Sequence, residues 1–268
     1  MTIRVVMAGA TGWVGKALVA AIAREADLAL AGAVSRSAAG QDAGTASGGE
    51  PVGIAVAATL EEALATPSDV VIDYTKPNIV KANTLAAIAA GRHVVIGTSG
   101  LGADDYAEID AAARAGGVGV IAAGNFSITA TLLKRFALMA AKYVPDVEII
   151  DYAKATKPDA PSGTARELAE AIAEMRLPST ATPQADVLGI KETRGAGVGS
   201  GGGVQVHAVR LPSFILSCEA LFGLPDERLT IRHDAGSSPA PYVAGTLLAV
   251  RKVATVKGLV RGLDTLID

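Results

Sequence analysis

Two lysines, Lys154 and Lys157, stand beside the run Pro158-Asp-Ala-Pro-Ser-Gly-Thr-Ala165, and together they have the makings of an anion trap. An ammonium supplies a full positive charge. A helix start supplies backbone N–H groups that lack intrahelical partners, at the positive end of the helix dipole. Upstream, Val147–Tyr152 has the β-branched content of a strand, and Thr164 with Glu167 three residues later reads as a capping box opening an amphipathic helix. The spacing predicts a strand, a turn and a helix in which Ser162, Gly163 and Thr164 offer N–H groups and hydroxyls to a carboxylate or phosphate, with Lys157 beside them. A plain strand, a proline-rich turn and a capped helix share this local pattern, so the rest of the chain must separate the two readings.

A second cluster follows the apolar run Arg4–Ala8. The segment Gly9-Ala-Thr11-Gly12-Trp13-Val14-Gly15 has glycines where a βα turn must be tight, where backbone must approach a pyrophosphate, and where helix must pack on strand. Its spacing is G-x-x-G-x-x-G rather than G-x-G-x-x-G, so its position at the head of a βα alternation carries the dinucleotide reading. After the second predicted strand, where an acid would hold the ribose diol of NAD, the chain has Ser35-Arg36-Ser37. An arginine among hydroxyls suits a 2′-phosphate, which predicts NADPH as the preferred cofactor and NADH as the alternative.

The elements that must position these groups follow a βαβ rhythm. Strands are predicted at Arg4–Ala8, Leu28–Val34, Val70–Tyr74, Val94–Gly97 and Gly119–Ala122, with helices near Val14–Arg24, Leu60–Ala65, Ile79–Ala90 and Ala103–Ala115. Ala38–Gly53 reads as an exposed glycine-rich loop. A helix with an apolar face is predicted over Ser127–Tyr143. Val204–Arg210, Phe214–Phe222 and Arg228–Asp234 then read as an antiparallel meander, after a mobile loop at Arg194–Gly203. Ala240–Ala254 is helical again. The expectation is an α/β chain with a Rossmann-like dinucleotide domain made of residues 1–126 and 238–268, and a mixed α/β domain of residues 127–237 for substrate binding and oligomerisation.

Half of the 268 residues are hydrophobic and only 4% aromatic, which suits aliphatic helices on a parallel sheet. A net charge of −3 gives no basic footprint, so nucleic acid and anionic membranes are not expected partners. One cysteine, Cys218, allows no intrachain disulfide, and three scattered histidines with one thiol make no metal cluster. No signal-like segment precedes the first strand and no apolar run nears the roughly 18 residues of a membrane span, so a cytoplasmic protein is expected. Thr98 and Ser99 in Gly97-Thr-Ser-Gly-Leu101 do not match a nucleophile elbow, and His93, His207 and His233 read as structural. Asn125-Phe-Ser127 has the form of a glycosylation sequon, which has no use in such a chain.

The combination of Gly9–Gly15, Gly97-Thr-Ser-Gly100, Ala123-Gly-Asn-Phe-Ser127 and Lys157-Pro-Asp-Ala-Pro-Ser-Gly-Thr-Ala165 resembles the dihydrodipicolinate reductases, in matching order across nearly the whole chain. Val204–Pro212 and Leu229–Asp234 also look like that family's substrate-domain strands. The resemblance implies NAD(P)H-dependent reduction of a cyclic unsaturated dicarboxylate to tetrahydrodipicolinate, in the diaminopimelate route to lysine, by a homotetramer. Carried over by position, Gly9, Gly12 and Gly15 face the pyrophosphate and Arg36 the adenosine phosphate. Tyr74 and Thr75 lie near the cofactor, while Gly97, Thr98, Ser99, Ala123, Asn125 and Phe126 border the nicotinamide and its ribose. Ser162, Gly163 and Thr164 grip a substrate carboxylate beside Lys157. The two ligands must meet for hydride transfer, so closure of one domain on the other is expected.

Two departures from the family pattern stand out. Where the family carries a pair of histidines before its lysine, this chain reads Asp151-Tyr-Ala-Lys154, so Ala153 occupies the catalytic-histidine position and cannot shuttle a proton. Lys154, made acidic by burial or by Lys157, is the expected donor, with Tyr152 and water as alternatives. The arginine usual after the last substrate-domain strand is also missing from Ala235-Gly-Ser-Ser-Pro-Ala-Pro241. These changes leave room for a paralogue that reduces another cyclic imine or unsaturated acid, or for a silent dinucleotide-binding sensor.

Overall fold

The computed structural model describes residues 2–183, 186–190 and 195–267, and the structural statements below concern those residues. In chain order, β1 (Ile3–Ala8), α1 (Trp13–Ile22), β2 (Leu28–Val34), α2 (Ala43–Ala46), β3 (Val56–Ala57), α3 (Leu60–Leu64), β4 (Val70–Asp73), α4 (Val80–Ala89), β5 (His93–Ile96), α5 (Ala103–Gly116) and β6 (Gly119–Ala122) come first. Then follow α6 (Ile128–Ala140), β7 (Asp146–Ala153), α7 (Gly163–Met175), β8 (Ala196–Val198), β9 (Val204–Arg210), β10 (Leu216–Leu224), β11 (Glu227–Ala235), α8 (Ala240–Lys252) and β12 (Gly258–Arg261). The chain divides into two units, Met1–Ile128 with Pro239–Asp268, and Thr129–Ser238.

The first unit holds a seven-stranded sheet in the order β12-β6-β5-β4-β1-β2-β3, with every pairing parallel. Its strands are apolar on both faces, as burial under two helical layers demands. Val5, Met7, Val70, Ile72, Val95 and Ile121 turn one way, onto Leu18, Val19 and Ile22 of α1 and Leu247 and Val250 of α8. Their neighbours Val6, Val71, Val94, Ile96 and Val120 turn the other way, onto Leu60, Ile88 and Ile109. The parallel arrangement sends the segments after β1, β2, β4, β5 and β6 out at one edge. Strand order reverses between β1 and β4, so the Gly9 turn emerges where such sheets open a ligand crevice. Two short elements, α2 and β3, and the closing strand β12 were not predicted; α2 lies inside the expected Ala38–Gly53 loop, capped by the Asp42 side chain.

The second unit has a five-stranded sheet in the order β11-β10-β7-β9-β8, which corrects the predicted meander. Strand β7 lies between β9 and β10, parallel to the first and antiparallel to the second, so only β10 and β11 form a hairpin of the expected kind. The cause is the eight-residue β7 itself, whose two edges both need partners. The predicted mobile loop is also corrected: Ala196–Val198 pairs with β9, through a turn in which Gly199, Gly201, Gly202 and Gly203 have positive φ. Arg194, at the head of that expected loop, lies outside the described residues. Val147, Ile149, Val206, Ala220 and Phe222 form the inner face, under Leu133 and Ala137 of α6 and Leu168 and Ile172 of α7. Each large aliphatic or aromatic side chain buried there contributes about 1.5–3 kcal/mol.

The three histidines have structural partners. His93 Nδ1 accepts from the Gly119 N–H at 2.8 Å, His233 Nδ1 lies 3.0 Å from Thr129 Oγ1, and His207 Nε2 lies 2.7 Å from Glu148. Burial holds His93 and His233 below the usual histidine range. Since the unfolded chain binds protons near pH 6.5 and the folded chain resists them, stability is full above about pH 6.5 and is lost as pH falls through the lowered native values. The urea midpoint is therefore expected to drop between pH 7 and pH 5.5; a flat profile would show that neither histidine is linked to folding.

Candidate active site

The Gly9–Gly15 turn is built from backbone that excludes side chains. Gly9 has φ +87°, and a Cβ there would stand 2.3 Å from the Tyr74 carbonyl oxygen. A Cβ on Gly15 would stand 2.0 Å from the Gly9 carbonyl oxygen. Gly12 caps α1 without a side-chain hydrogen bond, and the first turn of α1 carries no acid. The turn therefore offers backbone N–H groups and the positive helix end with no competing carboxylate, which fits a pyrophosphate. Thr11 Oγ1 lies 2.6 Å from Ser35 Oγ, which ties this turn to the end of β2, and Arg36 is exposed beside it. No carboxylate stands in Ser35-Arg36-Ser37, so the segment suits a 2′-phosphate.

At the switch point sits a carboxylate that sequence reading missed. Asp73, fully buried at the end of β4, accepts from the Thr75 N–H at 2.9 Å, the Thr75 hydroxyl at 2.7 Å, the Thr98 hydroxyl at 2.8 Å and the Asn83 amide at 2.8 Å. It joins the loops after β4 and β5, bringing Thr75 and Thr98 onto one carboxylate. Tyr74 and Phe126 have a different role from the one expected of them. Phe126 is buried in the core, with ring centroids 6.1 Å from Tyr74, and Gly97 is small because a Cβ would strike the Tyr74 ring at 2.1 Å. The Thr246 hydroxyl donates to the Tyr242 carbonyl, so at the 2.8 Å contact with Tyr74 the phenol is the donor. Burial raises the Tyr74 phenol. Both rings therefore shape the floor of the loop cluster, while Ser99 is exposed at its rim and Asn125 Oδ1 accepts from the Ser127 N–H at 2.8 Å, turning the chain into α6.

In the second unit the predicted strand, turn and helix are present, but the cap is two residues earlier than the sequence template places it. Ser162 is the N-cap of α7; its hydroxyl accepts from the Ala165 N–H at 3.3 Å, and Glu167 instead pairs with Lys134 at 2.8 Å. The acid of this cap comes from the strand. Asp151, fully buried, accepts from the Ser162 N–H at 2.7 Å and the Ser162 hydroxyl at 2.7 Å. Arg210 Nη2 donates to Asp151 at 2.8 Å and to the Asp159 carbonyl at 2.8 Å, and Nη1 donates to the carbonyls of Asp151 and Val209. Removing one partner of such a buried pair costs about 3–5 kcal/mol because the other charge is stranded. Ser162 is thus spent on Asp151, which corrects its expected role as a direct ligand contact. Gly163 and Thr164 follow at the first two helical positions.

Lys157 Nζ donates to Asp159 at 2.5 Å, so the predicted charge is present with a carboxylate already beside it. Lys154 is exposed just past β7. Ala153 is fully buried. Tyr152 lies on the opposite face of β7 from Asp151, with its ring 4.9 Å from Phe214 and its hydroxyl donating to Glu219 at 3.2 Å. Burial, reinforced by Glu219, raises its phenol, and the hydroxyl proton is already given to Glu219. Cys218 is buried opposite Asp151 in the sheet register; burial first, then the Asp151 charge, pushes its thiol up to about 12, and it is no nucleophile.

Comparison with known proteins decides the family. A profile described as dihydrodipicolinate reductase, N-terminus, matches residues 3–126, and one described as its C-terminus matches residues 129–267. The chain belongs to the dihydrodipicolinate reductase family. A 4-hydroxy-tetrahydrodipicolinate reductase of Desulfitobacterium hafniense is 41% identical over 268 residues, covering 99% of each chain. One from Moorella thermoacetica is 37% identical over 269 residues, covering 100% of this chain and 98% of the relative. Among solved structures, the dipicolinate-bound dihydrodipicolinate reductase from Paenisporosarcina sp. TG-14 matches with a TM-score of 0.80 at 31% identity, over the whole of both chains. An amine dehydrogenase from Mycobacterium smegmatis, at 17% identity and a TM-score of 0.68, shares the fold. Membership in a reductase family makes this chain an NAD(P)H-dependent oxidoreductase. Among the described residues no helix is long and apolar enough to cross a membrane.

Proposed function

We propose that this family member reduces dihydrodipicolinate, formed from 4-hydroxy-tetrahydrodipicolinate, to tetrahydrodipicolinate, with NADPH preferred, in the diaminopimelate route to lysine. The observation that carries this reading is the Lys157–Thr164 segment: an ammonium and a helix N-terminus, tied to a strand end by a buried carboxylate, form a receptor for a carboxylate. Bound NADPH supplies a hydride to one ring carbon. Lys157 and the N–H groups of Gly163 and Thr164 hold a ring carboxylate and fix the orientation of the unsaturated bond. Lys154, one residue past the buried Ala153, delivers the proton that completes the reduction. The charge it neutralises there develops on the ring as hydride arrives.

The Gly9–Gly15 turn holds the pyrophosphate, and Thr75 and Thr98, both anchored on Asp73, flank the nicotinamide ribose. Ser35 and Arg36 hold the adenosine phosphate. Arg36→Ala is expected to raise the NADPH KM by about tenfold and leave the NADH KM nearly unchanged, consistent with one lost charge-assisted hydrogen bond; equal effects on both cofactors would remove Arg36 from selectivity. A cytoplasmic homotetramer is part of the same reading, supported by the exposed Leu224 and Leu229 of the β10–β11 hairpin. A second reading, reduction of another cyclic imine, is favoured by one observation, the alanine at position 153. Mixing the protein with NADPH and freshly generated dihydrodipicolinate, with nicotinamide absorbance followed over time, separates the two. Turnover supports the first, whereas NADPH binding without turnover leaves the second.

A further inference from the structure

We infer that Asp151, together with Arg210, is the positioning residue of the carboxylate receptor: it holds the first turn of α7 against the end of β7 so that Lys157, Gly163 and Thr164 present one preformed anion site. This deepens the proposed function and rests on it for the identity of the ligand. Four observations converge. Asp151 is the charged residue on the inner face of β7, in line with Val147, Ile149 and Ala153, and it is fully buried. A carboxylate in that position is costly unless its oxygens are satisfied. Both are: Oδ1 takes the Ser162 hydroxyl, and Oδ2 takes the Ser162 N–H and the Arg210 guanidinium.

Arg210 extends the same grip to the loop, since its donation to the Asp159 carbonyl fixes the residue that pairs with Lys157. The receptor is therefore reached from the Asp151–Arg210 pair on two sides, through Ser162 to Gly163 and Thr164 and through Asp159 to Lys157. In an ordinary capping box the acid sits three residues into the helix and fixes only that helix. Here it sits on a strand, 11 residues away in sequence, so the helix start is registered to the sheet. Asp151 touches no reacting atom in this account; it acts through Ser162 and Arg210.

The test is Asp151→Asn, with Asp151→Glu and Arg210→Lys alongside, in the full-length protein. The readouts are dipicolinate affinity by calorimetry, NADPH affinity, and the separation of substrate KM from kcat, all at a temperature below the melting point of every variant. An amide in place of the carboxylate cannot take both Ser162 donors and leaves Arg210 uncompensated. The receptor then shifts by a fraction of an ångström or more, a scale at which about tenfold or greater losses are expected. Asp151→Asn should weaken dipicolinate and raise substrate KM by about tenfold, with NADPH affinity unchanged, and Asp151→Glu should recover part of the loss. A lower melting temperature with dipicolinate affinity and KM within twofold of wild type would make Asp151 merely structural and overturn the inference. If Asp151→Asn does not fold, Arg210→Lys, which keeps the charge and loses the fork to Asp159, should show the same pattern, and its absence counts equally against the idea. Wild-type protein that binds dipicolinate in an Asp151-dependent way, yet does not turn over dihydrodipicolinate, would sink the proposed reaction and leave this inference standing.

Discussion

Lys154→Met is expected to lower kcat for dihydrodipicolinate by about 10²–10⁴-fold while leaving NADPH and dipicolinate affinities within about threefold of wild type, the range that loss of a positioned general acid produces. Reduction of a conjugated or imine bond places hydride on one carbon and a proton elsewhere. Ala153, which the resemblance sets at the family's catalytic-histidine position, is buried and has no proton to give. The Tyr152 hydroxyl donates its proton to Glu219. Lys154 is the remaining proton-bearing side chain of Asp151–Lys154, since Asp151 is engaged with Ser162 and Arg210. Lys154→Arg separates charge from proton transfer: it keeps the positive charge but cannot release a proton, so KM should hold while kcat falls. Full turnover in both variants would assign the proton to water.

Gly15→Ala is expected to abolish useful dinucleotide binding and to lower the melting temperature. The added methyl would lie 2.0 Å from the Gly9 carbonyl oxygen and 3.0 Å from the Ala10 carbonyl carbon, both backbone atoms that cannot rotate away. Overpacking of this kind costs about 1–3 kcal/mol or more, and each kcal/mol corresponds to roughly 2–4 °C for a chain of this size. The turn must open to relieve the clash, and opening it separates the N–H groups proposed to hold the pyrophosphate. Differential scanning calorimetry and an NADPH titration check the two halves of the expectation. A variant that melts and binds as wild type does would mean the turn has slack that the geometry denies.

The first sheet was readable because each of its helices and long strands carries its own periodicity, and the parallel topology follows from their alternation. The place of β7 was not readable in the same way. Its pairing with β9 and β10 joins segments more than fifty residues apart, which local pattern does not encode. The short β12, Gly-Leu-Val-Arg, is too brief to show a period, and it forms because β6 offers an open edge. The proposed anion receptor is marked in the sequence by Lys157 and a helix start, yet the cap of that helix reads as Thr164 because Glu167 completes the familiar template there. The true cap, Ser162, has Ala165 at the template position and borrows its acid from Asp151. One signal did point to Asp151: within the alternation of Val147, Ile149 and Ala153 it is the inward residue with a charge, and an inward charge requires a partner. Asp73 carried the same mark as the single acid closing the apolar run Val-Val-Ile-Asp. Phe126 and Tyr74 lie in the loops past β6 and β4, and their burial follows from the small residues Gly97 and Gly245 against which those loops close.

Isotope transfer tests the central claim most directly. NADPH deuterated in turn at each face of nicotinamide C4 is supplied with dihydrodipicolinate, and the tetrahydrodipicolinate formed is read by mass spectrometry. The account predicts one deuterium at a ring carbon from one labelled face and none from the other, with a proton from solvent at the second position. Oxidation of NADPH that leaves the product unlabelled from both faces, or no oxidation at all with this substrate, would contradict it.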